Sequence, residues 1–220
     1  MKIGDEHNIN HEYITRYIEA TIKKSEGLLL EIEQYAEKNS VPIAKRETIK
    51  FIEVLLKSIK AKNVLEIGSA IGYSAISMAF CGCMVTTIER SEEMQEQLHK
   101  NIKLANMEQN IKVICGDATE LLPNLTGEYD FIFVDAAKGQ YLEYLPHCLR
   151  MLKVGGVLFS DNILYKGMVA TDELFVRRKI TIIRRLRKYL DEICNRDDLD
   201  TAIVPVGDGA AISYKIMGAV

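Results

Sequence analysis

Apolar residues recur along this chain with two different periods, and the change between them falls near residue 62. Up to that point the spacing is helical. Leu28, Leu29, Ile32, Tyr35 and Ala36 share one face of a segment that Ser25 can cap, and Ile49, Ile52, Leu56 and Ile59 share a face of another over 45–60. Asn10 is placed to cap an earlier helix from His11, and the Asn39–Pro42 stretch breaks the second helix from the third. From residue 63, short apolar runs alternate with helical patterns. The runs predict strands at 63–67, 84–89, 111–115, 129–134 and 156–160, with helices at about 72–80, 91–106, 118–124 and 139–152. Near-continuous apolar strands separated by helices mean a parallel sheet covered on both faces. A long helix near 172–194 follows, then strands at 201–206 and 210–217 around Gly207-Asp208-Gly209, the spacing of an antiparallel hairpin at a sheet edge.

With 220 residues, this pattern reads as a single α/β domain, residues 1–62 forming a helical N-terminal extension and 63–220 the core. No apolar run reaches the roughly 18–20 residues that cross a bilayer. The first residues are acidic and lack the apolar stretch of a secretory signal. The expected location is therefore cytoplasmic, with no membrane partner. Five cysteines, odd in number and scattered, argue against a disulfide framework. Cys81-Gly82-Cys83 has no second pair to complete a metal site, and His7 with His11 has no third ligand. The net charge of −3 conceals an asymmetry: residues 177–190 carry seven Lys and Arg and no acid, while 191–200 are mostly acidic.

Candidate chemistry sits where strands end. Gly68-Ser69-Ala70-Ile71-Gly72 joins the first strand to its helix, the position at which an α/β sheet cradles a nucleotide-like cofactor. Gly68 permits a tight turn, Gly72 a close approach, and the helix amides face the ligand. Glu89 ends the second strand 21 residues after Gly68, placed for ribose hydroxyls. The loop lacks full GxGxxG spacing, and Glu66, read as lying inside the turn, would repel a pyrophosphate and suit a cation. Both points favour S-adenosyl-L-methionine over a dinucleotide, which would make the protein a dehydrogenase. Gly116-Asp117-Ala118 fits the adenine edge, and Tyr73 or Ser74 the methionine carboxylate; Glu66 and Asp117 also read as helix caps or solvated acids.

Asp135 ends the fourth strand, and Asp161 and Asn162 end the fifth. In a doubly wound sheet these strands are neighbours, so three oxygen ligands converge beside the cofactor's reactive end. Carboxylate and amide oxygens suit a hard cation such as Mg²⁺, leaving places open for two vicinal substrate oxygens. Lys138 follows Asp135 by three residues. Beside a divalent cation an ammonium gives up its proton more readily, the condition for a general base; the alternative is an exposed Lys paired with Asp135 or Glu143. On the basic helix, Ile180, Ile183 and Leu186 make a buried stripe, which turns several of Arg177, Arg178, Lys179, Arg184, Arg185, Arg187 and Lys188 to solvent. Such a surface suits a phosphate backbone, or is merely a solvated helix paired with the acids that follow it.

Taken together, EIGSAIGYSA, VDAAKGQY, and Asp161-Asn162 resemble the cation-dependent O-methyltransferases, the catechol and caffeoyl-CoA O-methyltransferase group, over about residues 40–217. The resemblance implies a Rossmann-like class I methyltransferase with a seven-stranded, mostly parallel sheet whose last strand is antiparallel, commonly in a homodimer. It implies S-adenosylmethionine bound by the loop with Gly68, Ser69 and Glu89, Asp135 shared between cofactor and metal, a Mg²⁺ or Mn²⁺ ion on Asp135, Asp161 and Asn162, and Lys138 as the catalytic lysine. NSVPIAKRET, VDAAKGQY and DNILYKG are most similar to the bacterial tRNA 5-hydroxyuridine methyltransferases, which act at the wobble position. Ala136-Ala137 replaces the bulky residues usual in the catechol branch, and Trp is absent. The substrate expected is hydroxyuridine in tRNA, whose 4-oxo and 5-hydroxy groups are vicinal oxygens; a small catechol-like or CoA-linked phenol is the alternative. A non-catalytic RNA-binding protein would have lost the metal positions, and all three are filled.

Overall fold

The computed structural model describes residues 9–174 and 176–216. Three helices come first, α1 (Glu12–Thr21), α2 (Gly27–Asn39) and α3 (Arg46–Ser58). Strands and helices then alternate through β1 (Asn63–Ile67), α4 (Tyr73–Phe80), β2 (Met84–Glu89), α5 (Glu92–Leu104), β3 (Ile111–Cys115), α6 (Ala118–Leu121) and β4 (Tyr129–Val134). The chain continues through α7 (Tyr141–Met151), β5 (Leu152–Ser160), α8 (Ile180–Cys194), β6 (Leu199–Val204) and β7 (Ala210–Lys215). The seven strands form one sheet in the order β3-β2-β1-β4-β5-β7-β6. β1 to β5 pair in parallel and β7 runs antiparallel to both its neighbours, as expected.

Alternation along the central strands explains why both faces are covered. Leu65, Ile67, Ile132, Val134 and Leu158 point into one buried layer, with Leu145, Ile183 and Leu186 from α7 and α8. Val64, Phe131, Phe133, Val157 and Phe159 point into the other, against Ile49, Ile52, Ile76 and Leu98 from α3, α4 and α5. The strand order changes direction between β1 and β4, and the loops after β1, β2, β4 and β5 meet at one edge of the sheet. Open α/β sheets bind ligands at that switch point.

Several boundaries differ from expectation, each for a local reason. Neither predicted cap holds. Asn10 instead donates from its side-chain amide to the Pro205 carbonyl at 2.6 Å, and Ser25 donates to the Glu33 carboxylate at 2.5 Å. β5 begins at Leu152, directly after α7, because Gly155 (φ +81°) lets the chain turn within the strand. The long helix starts only at Ile180, preceded by a 3₁₀ turn at Arg177–Lys179, and the last two strands are Leu199–Val204 and Ala210–Lys215. All five cysteines are free. His7 lies outside the described residues, and among those described no three His, Cys, Asp or Glu gather as a metal site. No described helix is long and apolar enough to cross a membrane.

Candidate active site

A cavity of about 1050 Å³ opens at the switch point. Its floor is the turn after β1 and the ends of β2 and β4. Its walls come from α1, residues 42–45, and the segment after β5, with Asp208 at one side.

The turn after β1 is built for close approach. Gly68 has φ +92°, and a Cβ there would lie 2.3 Å from the Asp135 carbonyl oxygen. Ser69 is buried against the cavity, and its hydroxyl has no partner. The Glu89 carboxylate holds the turn: Oε2 accepts from the Ala70 amide at 2.8 Å and Oε1 from the Ser91 amide at 2.8 Å. A carboxylate carries about four lone pairs, so acceptor capacity toward the cavity remains. Gly116, Asp117 and Ala118 line the adjoining wall. Asp117 caps α6 through Thr119 (2.9 Å to its amide, 2.8 Å to its hydroxyl), and these bonds, with Arg90 behind them, hold its carboxyl below the usual range. The capping and cavity-facing readings of Asp117 are therefore both satisfied.

Two residues of the expected cofactor set stand outside the lining, Glu66 and Gly72. Glu66 is in β1, not in the turn, and strand alternation sends it to the α3–α4 side, where it is fully buried. Thr87, its register partner on β2, donates to it at 2.6 Å, while Oε1 has no partner. Burial pushes its carboxyl up to about 7 against the lowering effect of Ser74 and Thr87. A Cβ on Gly72 would strike Leu98 at 2.5 Å, so packing of α5 requires that glycine, not ligand approach. Tyr73 and Ser74 do line the cavity. The Tyr73 hydroxyl, however, donates to Glu33 on α2, while Ser74 stands near the Glu66 carboxylate. Ser69 presents a buried hydroxyl with no partner.

At the ends of β4 and β5 the expected oxygen ligands come together. Asp135 and Asn162 line the cavity, and Asp161 lies beneath them, 1 % exposed. Asp161 Oδ1 accepts from the Asn162 amide at 2.7 Å, while Oδ2 is buried with no partner. Burial and the neighbouring Asp135 carboxylate push Asp161 up to about 8; burial likewise raises Asp135, opposed by Lys138. An unpartnered buried carboxylate oxygen facing a second carboxylate and an amide fits a hard cation. Tyr141 braces the pair of strands, its hydroxyl donating to the carbonyls of Val134 (3.3 Å) and Asp161 (3.1 Å). Asn162, Tyr165 and Lys166 all adopt left-handed backbone, which costs energy in non-glycine residues and clusters at functional sites. Lys138 opens a 3₁₀ turn, lines the cavity, and pairs with neither Asp135 nor Glu143 within 4.0 Å.

None of the seven basic residues singled out on the last helix and its lead-in lines the cavity. Arg185 donates to the Gly139 carbonyl at 3.1 Å, next to Lys138, and Arg187 donates to Val169 and pairs with Asp172 at 2.7 Å. Those two brace the site, whereas Arg177, Arg178, Arg184 and Lys188 are exposed. Lys45 and Lys166 do line the cavity.

The family model described as O-methyltransferase matches residues 13–216. The chain belongs to the O-methyltransferase family. It is an S-adenosylmethionine-dependent O-methyltransferase, and its relatives share both size and fold. The caffeoyl-CoA O-methyltransferase of Medicago sativa is 33% identical over 177 residues, covering 76% of this chain and 72% of that one. A Staphylococcus aureus protein provisionally named a caffeoyl-CoA O-methyltransferase superposes with a TM-score of 0.82 at 31% identity, covering 93% of this methyltransferase and 98% of that chain. The SAH-bound methyltransferase of Podospora anserina gives a TM-score of 0.85 at 23% identity, covering 98% and 100%.

Sequence reasoning missed several residues that line this methyltransferase's cavity. Glu12, Thr15, Arg16 and Glu19 come from α1, whose described residues include none that is buried. Tyr144, Tyr165 and Asp208 come from three further segments. Asp208 had a sequence cue in its flanking glycines, but that cue spoke only of a turn.

Proposed function

We propose that this methyltransferase modifies the 5-hydroxyl of a hydroxyuridine in tRNA, with Mg²⁺ or Mn²⁺ held by Asp135, Asp161 and Asn162. The carrying observation for the substrate is the cavity mouth. Lys45 and Lys166 line it with no ion pair within 4.0 Å among the described residues, whereas Arg16, also in the lining, pairs with Glu12 at 3.5 Å. Unpaired cations around a cavity near the upper end of the roughly 300–1,000 Å³ usual for small molecules suit a nucleotide within a phosphate chain. The exposed Arg177, Arg178, Arg184 and Lys188 extend positive charge beyond that mouth.

Bound S-adenosylmethionine would supply a methyl group on a positive sulfur, and a divalent cation held by Asp135, Asp161 and Asn162 would supply acidity for the substrate hydroxyl. Glu89 accepts from ribose hydroxyls, Asp117 from the adenine amine, and Ser69 donates to the methionine carboxylate. Gly68 lets these groups stand close to Asp135. Lys138 would take the substrate's hydroxyl proton on Nζ, readying that oxygen for the methyl group the cofactor would supply. Holding the substrate hydroxyl beside an already activated donor would account for much of the rate. Tyr13 and Tyr17, 66% and 72% exposed on α1, are surface that a homodimer would cover.

A CoA-linked phenol is the second reading, favoured by the Medicago sativa relative's name; the same lysines suit CoA phosphates. Methyl transfer from labelled S-adenosylmethionine to hydroxyuridine-bearing tRNA, and in parallel to caffeoyl-CoA, separates the two. EDTA-sensitive labelling of tRNA is expected. Labelling of caffeoyl-CoA alone overturns the RNA reading and keeps the chemistry.

A further inference from the structure

The turn between β6 and β7 is fastened beside the metal-ligand end of the cavity by bonds from two directions. From α3, the buried Glu47 carboxylate accepts from the Gly207 amide at 3.0 Å. From the segment after Asn162, the Ile163 amide donates to the Gly209 carbonyl at 2.9 Å and the Leu164 amide to the Asp208 carbonyl at 3.1 Å. The Lys166 amide donates to Asp208 Oδ1 at 2.6 Å. The approach admits no side chain: a Cβ on Gly207 would stand 2.5 Å from Thr48 Oγ1 and 3.8 Å from Asp161 Oδ1, and one on Gly209 would lie 2.4 Å from Leu164. The two glycines let the backbone come this close, and they present the side chain between them to the cavity.

That side chain is a carboxylate with one committed oxygen. Oδ1 is held by Lys166, while Oδ2 has no hydrogen bond or ion pair among the described residues. Burial raises its carboxyl above the ordinary range, opposed by the Lys166 amide and by the charges of Lys138, Lys45 and Lys166, and Asp161 stands across the site. A fixed acceptor next to the place where two vicinal oxygens are gripped selects for a donor adjoining those oxygens. On a 5-hydroxyuracil ring that donor is N3–H, one bond beyond the C4 oxo group. A catechol has only C–H there.

We propose that Asp208 is a specificity-determining residue that accepts the N3–H of the uracil ring through Oδ2; this rests on the hydroxyuridine reading above. Failing that acceptor, the N–H would be desolvated in the cavity without a partner, and a site that hydrogen-bonds a substrate group discriminates strongly against its absence.

The test uses the full-length enzyme and two anticodon stem-loops, one with 5-hydroxyuridine and one with its N3-methyl derivative. Wild-type kcat/KM should favour the N3–H substrate by at least about tenfold. Asp208→Ala should lose about tenfold on the N3–H substrate, chiefly in KM, and show little preference between the two. Asp208→Asn keeps an oxygen for Lys166 but turns an amide donor toward N3–H, and should lose the preference as well. Unchanged cofactor affinity, measured by calorimetry, establishes that each variant is folded. Equal use of both substrates by wild type, or an undiminished preference in both variants, overturns the assignment and leaves the hydroxyuridine reading standing. Absence of wild-type transfer to the 5-hydroxyuridine stem-loop overturns both.

Discussion

Gly68 and Asp135 sit so close that a single methyl group cannot come between them: a Cβ on Gly68 would be 2.3 Å from the Asp135 carbonyl oxygen. The turn after β1 and the end of β4 are thus one rigid unit. Gly68→Ala must distort this contact and also adopt φ +92° with a side chain. Loss of about 2 kcal/mol or more of stability is expected, with at least tenfold weaker S-adenosylmethionine binding. Thermal unfolding and calorimetric titration measure the two effects.

On the proposed mechanism Lys138 receives the substrate proton. Lys138→Met keeps the length and apolar stem and removes the base. A fall in kcat of about 10²–10⁴ is expected with cofactor affinity unchanged, read from steady-state kinetics and calorimetry. A comparable loss of cofactor affinity would make Lys138 a binding residue.

Asp161 Oδ2 is buried and unpartnered, so the metal-free protein bears an uncompensated cost there. Asp161→Asn should lower Mn²⁺ affinity by at least about tenfold while the melting temperature in EDTA stays level or rises. Turnover should fall with the metal affinity. A drop in metal-free stability would mean the carboxylate holds the fold together instead.

Glu66 provides a pH test of its own. Its folded value of about 7 lies above the ordinary 4.5, so the native protein holds a proton that the unfolded chain releases between them. The stability involved is full below about pH 4.5 and is lost as pH rises through about 7, a change of roughly 3 kcal/mol if desolvation acts fully. Glu66→Gln keeps an acceptor for Thr87 and removes the titration. Urea unfolding of the metal-free proteins across this window should show a flatter pH dependence for the variant.

Four exposed cations carry the RNA-docking expectation. Reversal of Arg177, Arg178, Arg184 and Lys188 to Glu should raise the apparent KM for tRNA and shallow its salt dependence, with little change in melting temperature. Reversal of Arg185 and Arg187 should instead lower stability, because they hold Gly139, Val169 and Asp172. Unchanged tRNA kinetics in the fourfold variant would reduce the helix to solvated surface.

The chain's own pattern determined the strand positions closely, since five apolar runs each filled a place in a sheet covered on both faces. Periodicity is a local property, and it survives in the linear sequence. Strand ends bearing Gly68, Glu89, Asp135, Asp161 and Asn162 were legible for the same reason, because a parallel sheet brings such ends to one edge. What periodicity could not resolve is parity and distance. One residue's difference in register turns Glu66 away from the cavity, toward Thr87 on the opposite face. Gly72 looks in sequence like a partner of Gly68, yet its missing side chain makes room for Leu98.

Only tertiary structure brought Asp208 beside Asp161, because residues 47 apart in sequence meet only once the last hairpin pairs with β5 and Glu47 draws the turn inward. Likewise, seven basic residues on one segment gave a charge pattern, and packing divided them into braces and free cations. The sequence by itself determined the elements and the chemistry available at their ends. The folded chain decided which of those groups face the same cavity, since that depends on contacts between distant segments that no local pattern encodes.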